Sequence, residues 1–150
     1  MSAHGLKDLH FQDYIARFEL WNALADAQRQ HLIAHTRFQR AVKGEIIHRG
    51  ALASAGTLHV ISGALRVYIL SVEGREFTLY LLREGDIALL ASTAFLGAVS
   101  CDIAIEAAKG TELFISDTQA VREIFDANLA VRAHAYEYAV ARLSEMLWKF

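Results

Sequence analysis

The side chains best suited to chemistry in this sequence are seven histidines and one cysteine, Cys101. His31 and His35 stand four residues apart, a spacing that places two imidazoles on one face of a helix and suits a divalent metal ion. A metal site needs further ligands at matching positions, and none accompanies this pair. We therefore predict no metal site. We expect His31 and His35 to be partly exposed, and His59 and His134 to be packing or surface residues.

Cys101 is a candidate for a redox or nitric-oxide sensor. A cysteine reacts as the thiolate, which requires a lowered thiol pKa, and the neighbouring carboxylate of Asp102 opposes that change. We therefore expect Cys101 to be an unreactive cysteine. A single cysteine also cannot form an internal disulfide, which fits a reducing cytoplasm.

Catalytic sequence patterns are missing. Ser71, Ser92 and Ser100 have no evident base partner in the sequence. A cupin-type metal enzyme would need closely spaced His and Glu ligands on facing strands, and the sequence contains no His-x-His. We therefore predict that the chain is not an enzyme.

Composition predicts one domain with a substantial core. The chain has 150 residues, of which 54% are hydrophobic and 21% charged, with a formal net charge of −2. The chain therefore lacks the excess of positive charge that a phosphate-binding surface needs. Residues 1–5 do not form a basic-then-apolar leader, and no apolar run approaches the length of a membrane span. These features predict a soluble, cytoplasmic domain that does not contact a membrane.

The chain divides into three segments with different patterns. Residues 1–35 and 117–150 carry apolar side chains at helical spacing, whereas residues 36–116 contain short strands separated by glycines. The clearest strand pair surrounds Gly74, because glycine readily adopts the positive φ of a hairpin turn. Alternating apolar residues mark its two arms: Leu65, Val67, Ile69, then Phe77, Leu79, Leu81. An antiparallel barrel or sandwich is therefore predicted.

The C-terminal segment carries a heptad pattern, which we call the seam. Its seven residues are spaced by 4, 3, 4, 3, 4 and 3 positions: Leu129, Ala133, Tyr136, Val140, Leu143, Leu147 and Phe150. Such a pattern predicts a helix that packs on its own domain or pairs with a second chain. We favour a homodimer with the seam as its interface.

The segment from Gly63 to Asp86, GALRVYILSVEGREFTLYLLREGD, resembles the effector-binding β-roll of the Crp/Fnr family of transcription regulators. The resemblance extends over residues 11–150. It implies a mainly β fold, an antiparallel, jelly-roll-like double-stranded β-helix with N-terminal helices and a long C-terminal dimerisation helix. It also implies a single cyclic-nucleotide-binding-like sensory domain that reaches DNA only through a DNA-binding domain absent from this chain. The chain would then be a cut fragment or a naturally short protein.

The residues that the family uses to bind a cyclic nucleotide are missing. Cyclic-nucleotide binders have a Gly-Glu pair soon after the Gly-Asp corner, and an Arg-Ser or Arg-Thr pair further on. At those places this chain has Leu89-Leu90 and Ser100-Cys101-Asp102. The ribose hydroxyl would lack its acceptor and the phosphate its cation. We therefore expect that the chain does not bind cyclic AMP.

Other cofactors of the family can be compared in the same way. Iron–sulfur members use several N-terminal cysteines, which this chain lacks. The carbon-monoxide-sensing haem member places Cys and His ligands after the corner, where this chain has Leu89 and Ala91. A haem group would therefore need a different histidine of this chain as its iron ligand. A haem-based gas sensor stays open as an alternative, and so does a ligand-free dimerisation or scaffold domain.

The resemblance further implies an effector site between the β-roll and the long helix. We predict that a small, mostly apolar or aromatic molecule other than a cyclic nucleotide binds there and shifts the arrangement of the helices. The sequence does not identify this molecule. The expected lining is Leu89, Leu90, Ala91, Ser92, Ser100, Cys101, Met146 and Leu147.

Overall fold

The computed structural model describes residues 11–51, 54–89 and 102–147, without the side chains of Leu143, Met146 and Leu147. Residues 11–15 form helix α1. The other helices are α2 (Glu19–Asn22), α3 (Asp26–Ala34), α4 (Thr118–Ala127) and α5 (Leu129–Leu147). The strands are β1 (Thr36–Ala41), β2 (Ile46–Ala51), β3 (Thr57–Ser62), β4 (Ala64–Leu70), β5 (Glu76–Arg83), β6 (Ile87–Ala88), β7 (Asp102–Ala107) and β8 (Thr111–Ser116).

These strands form two antiparallel sheets of four strands each. The first sheet has the order β1-β8-β3-β6 and the second the order β2-β7-β4-β5. The chain passes repeatedly from one sheet to the other, as it does in a jelly roll. The mainly antiparallel architecture with flanking helices confirms the predicted fold class.

The inner core lies between the two sheets. It contains Val60 and Leu113 from the first sheet together with Leu65, Val67 and Ile105 from the second, and all five side chains are buried. On β4, Leu65 and Val67 alternate with the partly exposed Arg66. The period of two in the sequence therefore selects the side chains that face the inner core.

A second, outer core lies between the first sheet and the helices. On β3, His59 belongs to this side, whereas its neighbours Leu58 and Val60 belong to the inner core. On β8, Phe114 is likewise an outer-core residue. The helical side contributes Phe11, Ile15, Trp21, Leu32, Val121, Ile124, Phe125 and Val131. The first sheet is thus covered on both faces.

The β4–β5 hairpin forms at Gly74 as predicted, but burial in β5 does not follow the alternation in the sequence. Tyr80 and Leu82 pack toward the inner core, whereas Phe77, Leu79 and Leu81 are 50%, 40% and 40% exposed. The pairing with β4 shifts register at a β-bulge between Val67 and Tyr68. Before the bulge, Tyr80 and Leu82 lie opposite the buried Val67 and Leu65, so the pairing with β4 selects which apolar face of β5 is buried.

Gly63 and Gly74 both adopt positive φ, but their surroundings differ. Gly74 has a φ of +84°, and a Cβ atom added there would meet nothing within 4 Å. Gly63 has a φ of +92°, and a Cβ atom added there would clash with the carbonyl oxygen of Gly110 and with the backbone of Thr111. Glycine is required at position 63 by space as well as by conformation.

We expect Gly63→Ala to lower the free energy of unfolding by about 3 kcal/mol or more, because backbone strain adds to a clash with backbone atoms. The matched variant Gly74→Ala should lower the free energy of unfolding by only about 1 kcal/mol, because backbone strain is its only cost. Urea denaturation of both variants measures the difference. Equal losses would contradict the assigned clash at Gly63.

His59 is completely buried in the outer core. Its ring centroid lies 5.3 Å from that of Phe11, 5.8 Å from that of Tyr14 and 6.0 Å from that of Trp21. Burial lowers the pKa of His59 from 6.5 to about 3, and the backbone of the paired residue Phe114 opposes this shift only in part. The imidazole is therefore neutral in the folded protein near neutral pH.

This pKa shift predicts a loss of stability in acid. Between pH 6.5 and about 3 the unfolded chain binds a proton at His59 that the folded chain does not bind. Stability should therefore fall with decreasing pH, by up to about 1.4 kcal/mol per pH unit from this residue. Urea denaturation from pH 7.5 to pH 4.5 should show a shallower slope for His59→Phe, whereas His35→Gln, at an exposed site, should follow the wild type. Parallel curves for all three proteins would refute the assignment.

Candidate functional site

The turn between β5 and β6 is a tightly bonded corner, which we call the Asp86 corner (residues 83–89). The amide of Arg83 donates to Oδ2 of Asp86 at 2.8 Å, and the amide of Asp86 donates to the carbonyl oxygen of Arg83 at 2.9 Å. The amide of Gly85 donates to the carbonyl oxygen of Val60 on β3 at 2.9 Å. The Asp86 carboxylate therefore holds the turn in a fixed shape beside the first sheet.

Helix α5 binds this corner through two side chains. Nη2 of Arg142 donates to Oδ2 of Asp86 at 2.9 Å, and the amide of Ile87 donates to the hydroxyl oxygen of Tyr138 at 3.0 Å. Nη1 of Arg142 also donates to Oε2 of Glu145 at 2.9 Å. One carboxylate oxygen thus accepts hydrogen bonds from both the turn and the helix.

The tyrosines around the corner stay neutral. Burial raises the pKa of Tyr14, and the nearby Tyr138 and Asp86 raise it further. Burial also raises the pKa of Tyr138, although its hydrogen bond with Ile87 acts in the opposite direction. Burial is the main cause of the raised pKa of Tyr80 as well. The tyrosines whose pKa responds to Asp86 or Arg142 therefore carry no charge near neutral pH.

The predicted effector-pocket residues are only partly within the described chain. Leu89 is buried in the outer core directly after β6. Met146 and Leu147 belong to the last turn of α5, and their side chains are not described. Leu90, Ala91, Ser92, Ser100 and Cys101 lie outside the described residues. The lining of the pocket therefore stays a prediction.

The described residues of the seam lie on the outward face of α5. Leu129 is 75% exposed and Val140 is 60% exposed, Ala133 is exposed and Tyr136 is half-buried. The side chains of Leu143 and Leu147 are not described, and Phe150 lies outside the described residues. The four described seam positions thus leave a largely open apolar surface.

A different face of α5 packs on the rest of the domain. Val131 and Ala135 are completely buried, and Tyr138 packs against the same outer core. Together with Arg142 they are spaced by 4, 3 and 4 residues, which defines a second helical stripe opposite the seam. The helix therefore packs within the domain without using the described seam residues.

Sequence reasoning missed the contribution of Arg142 and Tyr138. Their partners are 56 and 51 residues away in the chain. The spacing of the second stripe, from Val131 to Arg142, was the available signal that a second face of the helix is buried. It could not identify the Asp86 corner as the partner.

The histidines do not form a metal site within the described residues, where no group of three His, Cys, Asp or Glu side chains is placed to hold a metal ion. Nε2 of His31 lies 3.0 Å from Oε2 of Glu123, so this contact joins α3 to α4. Nδ1 of His35 lies 2.8 Å from the carbonyl oxygen of His31. His134 is half-buried, 4.0 Å from Glu137. No helix in the described chain is long and apolar enough to cross a membrane.

Solved structures resemble the whole described fold. A transcriptional regulator from Eubacterium rectale, assigned to the Crp/Fnr family, is 36% identical with a TM-score of 0.77, and the match covers 91% of this chain and 62% of that one. The sensor domain of the transcriptional regulator DNR from Pseudomonas aeruginosa is 19% identical with a TM-score of 0.70, covering 96% and 95%. The catabolite activator protein of Thermus thermophilus is 22% identical with a TM-score of 0.55, covering 87% and 58%.

The chain therefore spans less than two thirds of the length of the Eubacterium rectale regulator. No protein-family model matches the chain, and no curated protein matches it. The match to the Eubacterium rectale regulator shows the family, whereas the two matches below 25% identity show the fold alone.

Proposed function

This chain belongs to the Crp/Fnr family of transcription regulators, and from that premise we propose that it is an effector-sensing and dimerisation domain. One observation carries the proposal: α5 uses one face to bind the domain and leaves the seam open on the opposite face. We propose that the chain acts in the cytoplasm as a homodimer. We propose that DNA contact belongs to a region outside this sensory domain.

A second copy of the chain fits the open seam best. Apolar residues spaced by four and three positions keep facing a partner helix that carries the same pattern. Burying a Leu or Val side chain completely contributes about 1.5–3 kcal/mol. Leu129 and Val140 on both chains would supply four such side chains, before the remaining seam residues are considered.

Val140→Glu should therefore raise the dissociation constant of the dimer on the order of 100-fold, because each dimer would bury two unpaired carboxylates. The side chain of Val140 is 60% exposed within the chain, so the fold should tolerate the change. Ala141→Glu adds the same charge at the next position, which is exposed and outside the seam, and serves as the control. Sedimentation equilibrium measures both.

A wild-type chain that stays monomeric at high concentration would contradict the proposed dimer. Equal dissociation by Val140→Glu and Ala141→Glu would contradict the seam as its interface.

The proposed effector is a small molecule other than a cyclic nucleotide. The sequence supports this choice because Leu89-Leu90 replaces the family's Gly-Glu pair, and Ser100-Cys101-Asp102 stands where an arginine would neutralise the phosphate. The buried position of Leu89 agrees with an apolar environment at the start of this segment. A ligand-free dimerisation domain is the competing proposal, and the open seam supports it equally.

Calorimetry with cyclic AMP and cyclic GMP should show no binding heat, because the chain lacks the charges that hold the cyclic phosphate. A cyclic-nucleotide-binding domain titrated under the same conditions provides the positive control. Saturable binding to this chain would contradict the proposal.

Titration with the neutral apolar dye N-phenyl-1-naphthylamine should show one saturable site per chain, and no saturable site would favour the ligand-free domain.

A further inference from the structure

Helix α5 is attached to two different parts of the domain. At its start, Oδ1 of Asn128 accepts the amide of Val131 at 3.1 Å, while Nδ2 of Asn128 donates to the carbonyl oxygen of Ala23 at 2.8 Å and to Oε1 of Gln28 at 2.9 Å. These contacts fix the first half of α5 to the N-terminal helices. The second half contacts the Asp86 corner instead.

Among the described side chains of the second half, the hydrogen bonds to the Asp86 corner lie within one helical turn. Tyr138 and Arg142 are four residues apart, and their partners Ile87 and Asp86 are consecutive in the chain. Asp86 is mostly buried, so its hydrogen bond with Arg142 is less screened by solvent than an exposed pair. The amide of Ile87 would lose its hydrogen bond with α5 without the Tyr138 hydroxyl.

Val140 lies between these two residues in the sequence and on the opposite face of the helix. Its direction from the domain is therefore set by the positions of Tyr138 and Arg142. A displacement of the Asp86 corner would rotate or shift this turn of α5, and with it the seam.

We propose that Tyr138 and Arg142 form a latch, two positioning residues that set the orientation of the seam according to the position of the Asp86 corner. The latch rests on the proposed function, because its effect on the seam matters only if the seam is a dimer interface. Its contacts to the corner can be measured in the protein without an effector.

Amide hydrogen exchange followed by NMR in the full chain tests the latch. Tyr138→Phe removes one hydroxyl and should increase exchange at the Ile87 amide about tenfold. Tyr136→Phe removes a hydroxyl from the same helix that accepts from Arg132 rather than from the corner, and should leave Ile87 unchanged. Unchanged exchange at Ile87 in Tyr138→Phe, or an equal increase in Tyr136→Phe, overturns the latch.

Arg142→Gln provides a second variant at a partly exposed position. It should increase exchange at the Arg83 and Ile87 amides about threefold to tenfold, because the Asp86 carboxylate loses its partner on α5. Glu145→Gln removes the other partner of Arg142 and is the control, expected to leave both amides unchanged. No difference between Arg142→Gln and Glu145→Gln overturns the latch.

Sedimentation of the same variants tests the coupling to the seam. Tyr138→Phe and Arg142→Gln should change the dimer dissociation constant about threefold to tenfold, and Glu145→Gln should not. Faster exchange with an unchanged dissociation constant would overturn the coupling. A monomeric wild type refutes the dimer, whereas exchange at Ile87 that does not respond to Tyr138→Phe refutes the latch itself.

Discussion

The fold depends on one constraint: the first sheet must bury both of its faces. One face packs on the second sheet and the other packs under the helices, so neighbouring residues on β3 and β8 belong to different cores. This explains why Leu58, His59 and Val60 are all buried although their side chains alternate in direction. It also explains the neutral imidazole of His59, because a charged group would be costly on a face that the helices cover.

Helix α5 follows the same principle with two helical stripes. Its inner stripe completes the outer core, and the described residues of its outer stripe leave a largely exposed apolar surface. A helix that is apolar on opposite faces has two surfaces to cover, and the domain covers one of them. We propose that another copy of the chain buries the second surface. Helix α5 would then link the interior of the domain to the dimer interface.

The Asp86 corner gives this link a definite position. The carboxylate closes the turn after β5 and accepts from Arg142, so strand, turn and helix meet at one oxygen atom. The N-terminal helices hold the other end of α5 through Asn128. In the proposed latch, the orientation of the seam would therefore depend on how the β-roll and the N-terminal helices stand relative to each other.

Features with local causes could be predicted from the sequence. The turn at Gly74 follows from the backbone freedom of glycine, the β4 strand from the alternation of Leu65 and Val67, and α5 from its heptad spacing. The exposed side of β5 was not predictable, because both of its faces carry apolar residues and the pairing with β4 selects between them. The pairing of Asp86 with Arg142 could not be predicted either, since 56 residues separate the two in the chain.

The sequence by itself thus determined the succession of helices and strands, the positions of the turns and the seam of α5, because these follow from backbone conformation and from the period of apolar residues. Only the tertiary structure decided which stripe the domain buries and which side chains of the corner and the helix meet. Such contacts form between segments far apart in the chain, and the free energy that selects them comes from packing and hydrogen bonding that no single segment contains.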